Sequence, residues 1–139
     1  MRKVILSIVV SLDGYIEGMN GEVDWFVWDE ATSKYTLDTM NEVDLIMYGR
    51  KAYEANAKHW QAIPNLSTST ANEIAFAHIM NEKPKLVFSK TMEKAEWNAR
   101  LIKDNIEEEI QKEKQKPGKD MVLFAGSKIS QTFINLGRF

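Results

Sequence analysis

Four short apolar runs, separated from one another by helical sequence, limit what this chain can fold into. They are Val4–Val10 (VILSIVV), Leu45–Tyr48, Lys85–Ser89 and Met121–Gly126. Apolar runs of this length without strict alternation read as strands covered on both faces, which places Val4–Val10 centrally in a sheet. Between them, helices are expected over Asp29–Glu42, Arg50–Ala57 and Ala71–Asn81. Another is expected from a cap at Asp104 or Asn105 to a stop at Pro117-Gly118, with carboxylates early and lysines late, as the helix dipole prefers. A last helix follows the fourth run, capped by Ser127. Lys58–Ser69, broken by Pro64, reads as loop, and Glu96–Lys103 as an ambiguous segment that could add a short strand. Strands alternating with helices predict an α/β fold with a largely parallel sheet.

At 139 residues the chain is expected to form one domain over residues 1–139. A chain of this size buries roughly two-thirds of its unfolded surface. The formal net charge of −2 and the lack of any basic stripe give no argument for a nucleic-acid partner. There are no cysteines, so disulfides and thiolate metal sites are excluded. Cations ahead of an apolar run at the start raise the possibility of a signal peptide, but Asp13-Gly14 follows in place of a small-residue cleavage site. No run approaches the ~18 apolar residues of a membrane span. The expectation is a cytoplasmic domain with no membrane partner.

In sheets of this kind ligands bind at the carboxyl ends of the strands. The four exits are Leu12-Asp13-Gly14, Tyr48-Gly49-Arg50-Lys51, Phe88-Ser89-Lys90 and Ala125-Gly126-Ser127. Gly49 and Gly126 each open a helix directly from a strand. Glycine lets a backbone approach a ligand closely, and a helix N-terminus presents unpaired N–H groups and a positive dipole end. Gly49-Arg50-Lys51 is therefore a candidate phosphate site, although a strand–Gly–helix turn also serves simply to make a tight corner. Neither G-x-G-x-x-G nor a Walker loop is present.

SLDGYI, LIMYGRKAYE, KLVFSKTM and VLFAGSKISQTFINLG follow one another in an order and spacing that resemble the dihydrofolate reductase-like family. The closer likeness is to its bacterial branch related to the reductase domain of riboflavin biosynthesis, and it covers essentially the whole chain. The resemblance implies an α/β/α sandwich with a mostly parallel mixed sheet that binds NADPH. By the family pattern Gly49, Arg50 and Lys51 would meet cofactor phosphate, Ser89 and Lys90 the adenosine 2′-phosphate, and Gly126 and Ser127 the pyrophosphate. A 2′-phosphate needs local cations and hydroxyl donors to be told from a bare ribose.

On the substrate side the resemblance brings Asp13 near the nicotinamide. It likens GEVDWF to the helix start that carries a substrate-binding carboxylate, so that Glu22 and the adjacent Asp24 are the candidate catalytic acids. Both acids are equally readable as solvated loop residues. Trp25 and Trp28 are candidates to wall a pocket, with core packing the commoner fate of such rings. His59 reads as a surface histidine, His78 takes no role, and the two histidines suggest no metal site.

Three features depart from the pattern. Ala52 stands where a hydroxyl residue usually assists phosphate, and Ala125 where a first glycine usually precedes Gly126. The family also normally continues with further strands, so the chain resembles a member lacking the usual last strands. Val4–Val10 would then be an open apolar edge, which invites pairing with another chain. The expectation is a homo-oligomer, a dimer, or a truncated product. Two functional readings stay open: an NADPH-dependent reductase of a small pterin- or pyrimidine-like substrate, or a catalytically idle member that serves as a binding or assembly module.

Overall fold

A computed structural model of the chain describes residues 1–124 and 126–139. Its strands are β1 (Val4–Ser7), β2 (Val43–Gly49), β3 (Lys85–Phe88), β4 (Ala99–Ile102) and β5 (Asp120–Phe124). Its helices are α1 (Glu30–Glu42), α2 (Arg50–Ala62), α3 (Ala71–Glu82), α4 (Ile106–Gln115) and α5 (Ser127–Asn135), with a 3-10 turn at Ile63–Asn65. The strands form one five-stranded sheet in the order β1-β5-β2-β3-β4, and every described ladder is parallel.

Alternation along the strands sends side chains to two separate cores. Val4, Leu45, Met47, Leu86, Phe88, Met121 and Leu123 pack with Ile110 of α4 and Phe133 of α5. On the opposite face Ile46, Tyr48, Val87 and Val122 pack with Met40 of α1, Tyr53 and Ala57 of α2, and Phe76 and Met80 of α3. The result is a three-layer α/β/α sandwich, as the resemblance implies, with a sheet that is parallel throughout the described residues where a mixed one was expected.

β1 corrects the reading of Val4–Val10 as a central strand and agrees with the expectation of an open edge. It is four residues long and lies at the edge, because its ladder with β5 ends at Ser7↔Phe124. Val9 and Val10 are exposed at 47% and 53%, so the second half of the apolar run lies outside the sheet. Nine of the fifteen large apolar side chains exposed among the described residues fall between Val9 and Trp28, which concentrates uncovered apolar surface in one segment.

α2 also differs from expectation by running on through Lys58–Gln61. Pro64 does not cut it short, because Pro64 falls at the start of the following 3-10 turn, where its missing N–H costs nothing. α1 is capped by Asp29, which accepts from the Thr32 N–H at 2.8 Å, and α3 by a full capping box of Thr70 and Glu73. At α4 the N-cap is Asn105 in the left-handed region (φ 55°) with no side-chain cap bond.

At the amino ends of the strands, buried Arg2 ties three segments together. It donates to the carbonyls of Lys119 and Glu113 and pairs with the Asp44 carboxylate, which also accepts from the Lys119 N–H at 2.9 Å. Gly118 (φ 146°) fits against this cluster, where a Cβ would fall 2.5 Å from Asp44 Oδ2. Lys85 is 1% exposed, with its ammonium 4.1 Å over the Trp97 ring and donating to the Lys83 carbonyl at 2.7 Å. Burial brings its pKa down to about 8.

Candidate cofactor site

β2 and β3 are neighbours in register, Gly49↔Phe88, so their exits lie side by side. This brings together two clusters separate in sequence. Arg50 Nη1 donates to Thr91 Oγ1 at 3.1 Å, and Thr91 Oγ1 lies 3.3 Å from Ser89 Oγ. Ser89 Oγ in turn accepts from the N–H groups of Thr91 and Met92 at 3.3 and 3.2 Å, closing a tight turn around Lys90. Arg50 and Lys90 are exposed. The site is thus an exposed guanidinium beside two hydroxyls, with a lysine between the hydroxyl residues.

The helix starts at these exits differ from the others. α2 begins from Gly49 and α5 from Gly126, and neither has a side-chain cap or an acidic residue in its first turn. α1 and α3 have both, and α4 has Glu107, Glu108 and Glu109 in its first turn. The first N–H groups of α2 and α5 therefore have no capping side chain or first-turn carboxylate, and Arg50, Lys51 and Lys128 are close by, Arg50 also pairing with Glu54 at 3.9 Å one turn on. Ser127 is the first residue of α5, not its cap; the cap position is Gly126.

The two glycines do different work. A Cβ at Gly49 would lie 3.2 Å from Ile129 Cγ2, so Gly49 lets α5 pack closely on the end of β2. A Cβ at Gly126 would meet nothing within 4 Å, which leaves open space directly over an uncapped helix start. A diphosphate suits that space, and an adenosine 2′-phosphate suits the Arg50–Ser89–Thr91 cluster. The chain's donors therefore fit NADPH. Ala52 offers no hydroxyl here, but Thr91 brings one to Arg50 from across the sheet. Ala125 lies outside the described residues.

The three carboxylates singled out on the substrate side all lie on the exposed segment between β1 and α1. Asp13 accepts from the Ser11 hydroxyl at 2.6 Å. Glu22 Oε2 accepts from the Asn20 N–H at 2.7 Å, and its carboxyl stands where a Cβ on Gly18 would be, 2.5 Å from Glu22 Cδ. Backbone N–H donation, first its own and then that of Asn20, holds the Glu22 carboxyl below the ordinary value. That favours a carboxylate that accepts hydrogen bonds over one that delivers a proton. Asp24 is exposed.

Trp28 packs edge-on against Phe26 and Phe76 with ring centroids 5.9 and 5.7 Å away, and lies 6.3 Å from Trp60. His59 meets Trp60 edge-to-face at 4.6 Å. The sequence gives no sign of this cluster, because its rings come from a loop and two helices. Thr91 is the member of this cluster that sequence reasoning missed; the Ser-x-Thr pair directly after a strand was the available signal. Among the described residues no three His, Asp or Glu side chains are grouped to hold a metal, and no helix is long and apolar enough to cross a membrane.

An α/β/α sandwich with uncapped helix starts and an exposed cationic, hydroxyl-bearing cluster at adjacent strand exits is an arrangement suited to an anionic ligand. Comparison with known families narrows this: the RibD C-terminal domain family matches residues 2–139, and the chain belongs to that reductase-like family. It is similar to the uncharacterized protein YyaP of Bacillus subtilis (strain 168), with 44% identity over 138 residues, covering 98% of this chain and 69% of that protein. It is similar in fold to the crystal structure of a candidate riboflavin biosynthesis protein from Shewanella sp. PV-4. The TM-score there is 0.66 at 20% identity, covering 100% of this chain and 72% of that one.

Proposed function

We propose that this chain is a cytoplasmic NADPH-dependent reductase of a small pterin- or pyrimidine-like heterocycle. The observation that carries the reading is the bond from Arg50 to Thr91, with Ser89 alongside, next to two helix starts that have no side-chain cap and no acidic residue in the first turn; the nearest carboxylate paired to Arg50 is Glu54, one turn on at 3.9 Å. Bound NADPH supplies the hydride, and the protein supplies binding, orientation and electrostatics. Arg50, Ser89, Lys90 and Thr91 hold the 2′-phosphate. Gly49, Lys51, Gly126, Ser127 and the first N–H groups of α2 and α5 hold the remaining phosphates. Asp13, Glu22 and Asp24, on the segment that follows β1, are the groups available to hydrogen-bond a substrate ring, with Glu22 acting as an acceptor.

Titration with NADPH and NADH, followed by tryptophan fluorescence, tests the reading. Saturable binding at least tenfold tighter for NADPH is expected, matching the loss of one charged hydrogen-bonded contact of about 1.5–3 kcal/mol with NADH. Equal affinity for the two would remove the 2′-phosphate site, and binding of neither by folded protein would remove the reductase reading in favour of an idle assembly module.

We also propose that two copies pair through β1. Its outer edge has no partner strand among the described residues, and the exposed apolar surface from Val9 to Trp28 continues from it. Light scattering at micromolar protein is expected to give twice the 16.0 kDa chain mass; a monomer at all concentrations would end the proposal.

A further inference from the structure

The segment joining β3 to β4, residues 89–98, is unusual for a parallel sheet. Parallel neighbours need a crossover from the carboxyl end of one strand to the amino end of the next, and a helix usually supplies it. Here no helix intervenes, and the chain returns across the face occupied by α2 and α3, burying parts of Met92, Ala95 and Trp97 in that core. It ends in two consecutive residues in the left-handed region, Trp97 (φ 62°) and Asn98 (φ 53°), neither of them glycine. Such a conformation persists only where the surroundings over-determine it. They do so here: Trp97 donates to Asn81 Oδ1 at 2.7 Å, and Asn98 donates to the Glu82 carbonyl at 2.9 Å.

This strap carries Ser89, Lys90 and Thr91, and α2 grips it at two places. Arg50 donates to the Thr91 hydroxyl, and one helical turn further on the buried Tyr53 hydroxyl takes both backbone groups of Glu96. It accepts from the Glu96 N–H at 2.8 Å and donates to the Glu96 carbonyl at 2.7 Å. Residues 50 and 53 share one face of the helix, so the two contacts are adjacent rungs between the same two pieces of chain. The Glu96 side chain is not needed for its rung; it turns outward to Lys94.

We infer that Tyr53 is a positioning residue for cofactor choice: by clamping the backbone of Glu96 to α2, it fixes the strap so that Ser89, Lys90 and Thr91 stand against Arg50. The inference rests on the reading of that cluster as a 2′-phosphate site. Tyr53 itself touches only the strap and the core, so its effect on a ligand passes through the strap. Loss of its hydroxyl releases the strap at one rung and lets the hydroxyls and Lys90 drift from the guanidinium. The interaction with the rest of a dinucleotide, at α2 and α5, is left as it was.

The test compares NADPH and NADH binding by calorimetry for the wild-type chain, Tyr53→Phe and Glu96→Ala, with hydrogen exchange at the residue-96 amide as a second measurement. Tyr53→Phe is expected to weaken NADPH about tenfold while NADH changes less than twofold, and to speed exchange at the residue-96 amide at least tenfold. Glu96→Ala keeps both backbone bonds and is expected to keep the wild-type preference. A purely structural role for Tyr53 would weaken both nucleotides alike. If the wild type prefers NADPH and Tyr53→Phe keeps that preference, the inference is overturned and the 2′-phosphate site stands. If the wild type shows no preference, the site reading fails first and the inference falls with it.

Discussion

Replacing Gly126 by alanine separates a glycine kept for a ligand from one kept for the fold. Gly126 has φ −75° and ψ −174°, an extended conformation open to any residue, and an added Cβ meets no atom within 4 Å. Alanine is a poorer N-cap than glycine by a few tenths to about 1 kcal/mol. That is offset by about 0.4–1 kcal/mol from the smaller entropy of the unfolded chain. The fold should therefore change by no more than about 0.5 kcal/mol, a shift of about 2 °C in midpoint for a chain of this size. If a diphosphate lies against the start of α5, the new methyl forces it back from the N–H groups. Losing one hydrogen bond to a charged group costs about 1.5–3 kcal/mol, or about 10- to 150-fold in NADPH affinity. Gly49→Ala is expected to lower stability as well as affinity, because the contact at 3.2 Å with Ile129 Cγ2 makes that side chain give by a few tenths of an ångström, at about 1 kcal/mol of stability. Thermal unfolding and calorimetric titration of the two variants read both quantities. Unchanged NADPH affinity in a folded Gly126→Ala protein would refute the diphosphate assignment, and a midpoint lowered by more than about 5 °C would refute the claim of open space.

Gly118→Ala should destabilise the chain by about 3 kcal/mol, since its Cβ meets Asp44 Oδ2 at 2.5 Å from a backbone at φ 146° and weakens the pairing of buried Arg2. Urea unfolding checks this, and a loss under 1 kcal/mol would contradict it. Stability should rise with pH above about 8, because folded Lys85 releases its proton near 8 while the unfolded residue holds it to 10.5, so the unfolded state binds more protons between those values. After solvent screening the gain is about 1–2 kcal/mol, read as the change in the difference between wild type and Lys85→Met from pH 7.5 to 10, and a flat difference would count against it. The Glu22 carboxyl should titrate below 4.5 by NMR, and Gly18→Ala, which displaces that carboxyl from its donors, should return it toward 4.5; a wild-type value at or above 4.5 would refute the hydrogen-bonding account.

What was legible in the sequence is what neighbouring residues decide. The apolar runs at Leu45–Tyr48 and Lys85–Phe88 announce strands, Asp29 opens a helical stretch, and a glycine followed by a cation marks the exit of β2. Lateral order was not legible in the runs themselves; only the likeness to a family member lacking its last strands put Val4–Val10 at an edge. β5 enters between β1 and β2, and nothing within VILSIVV distinguishes an edge strand from a central one. The end of α2 was misplaced because Pro64 was read as breaking the whole stretch from Lys58, whereas it falls in the 3-10 turn that follows the helix. In the site, the strand exits could be found by local chemistry, but the partners of Arg50 and Tyr53 lie 41 and 43 residues away, and only the pairing of β2 with β3 and the helix-free crossover bring them close.

The late entry of β5 governs how the chain is made. Met121 is the register partner of Val4, and β5 also supplies the only described link between β1 and the strands β2, β3 and β4. At a synthesis rate of about 5–20 residues per second, the first strand waits roughly 6–24 s on the ribosome before its partner has been made. Throughout that interval the apolar run of β1 has no partner strand to pair with. A stall in translation before Asp120 therefore leaves β1 without the strand that joins it to β2.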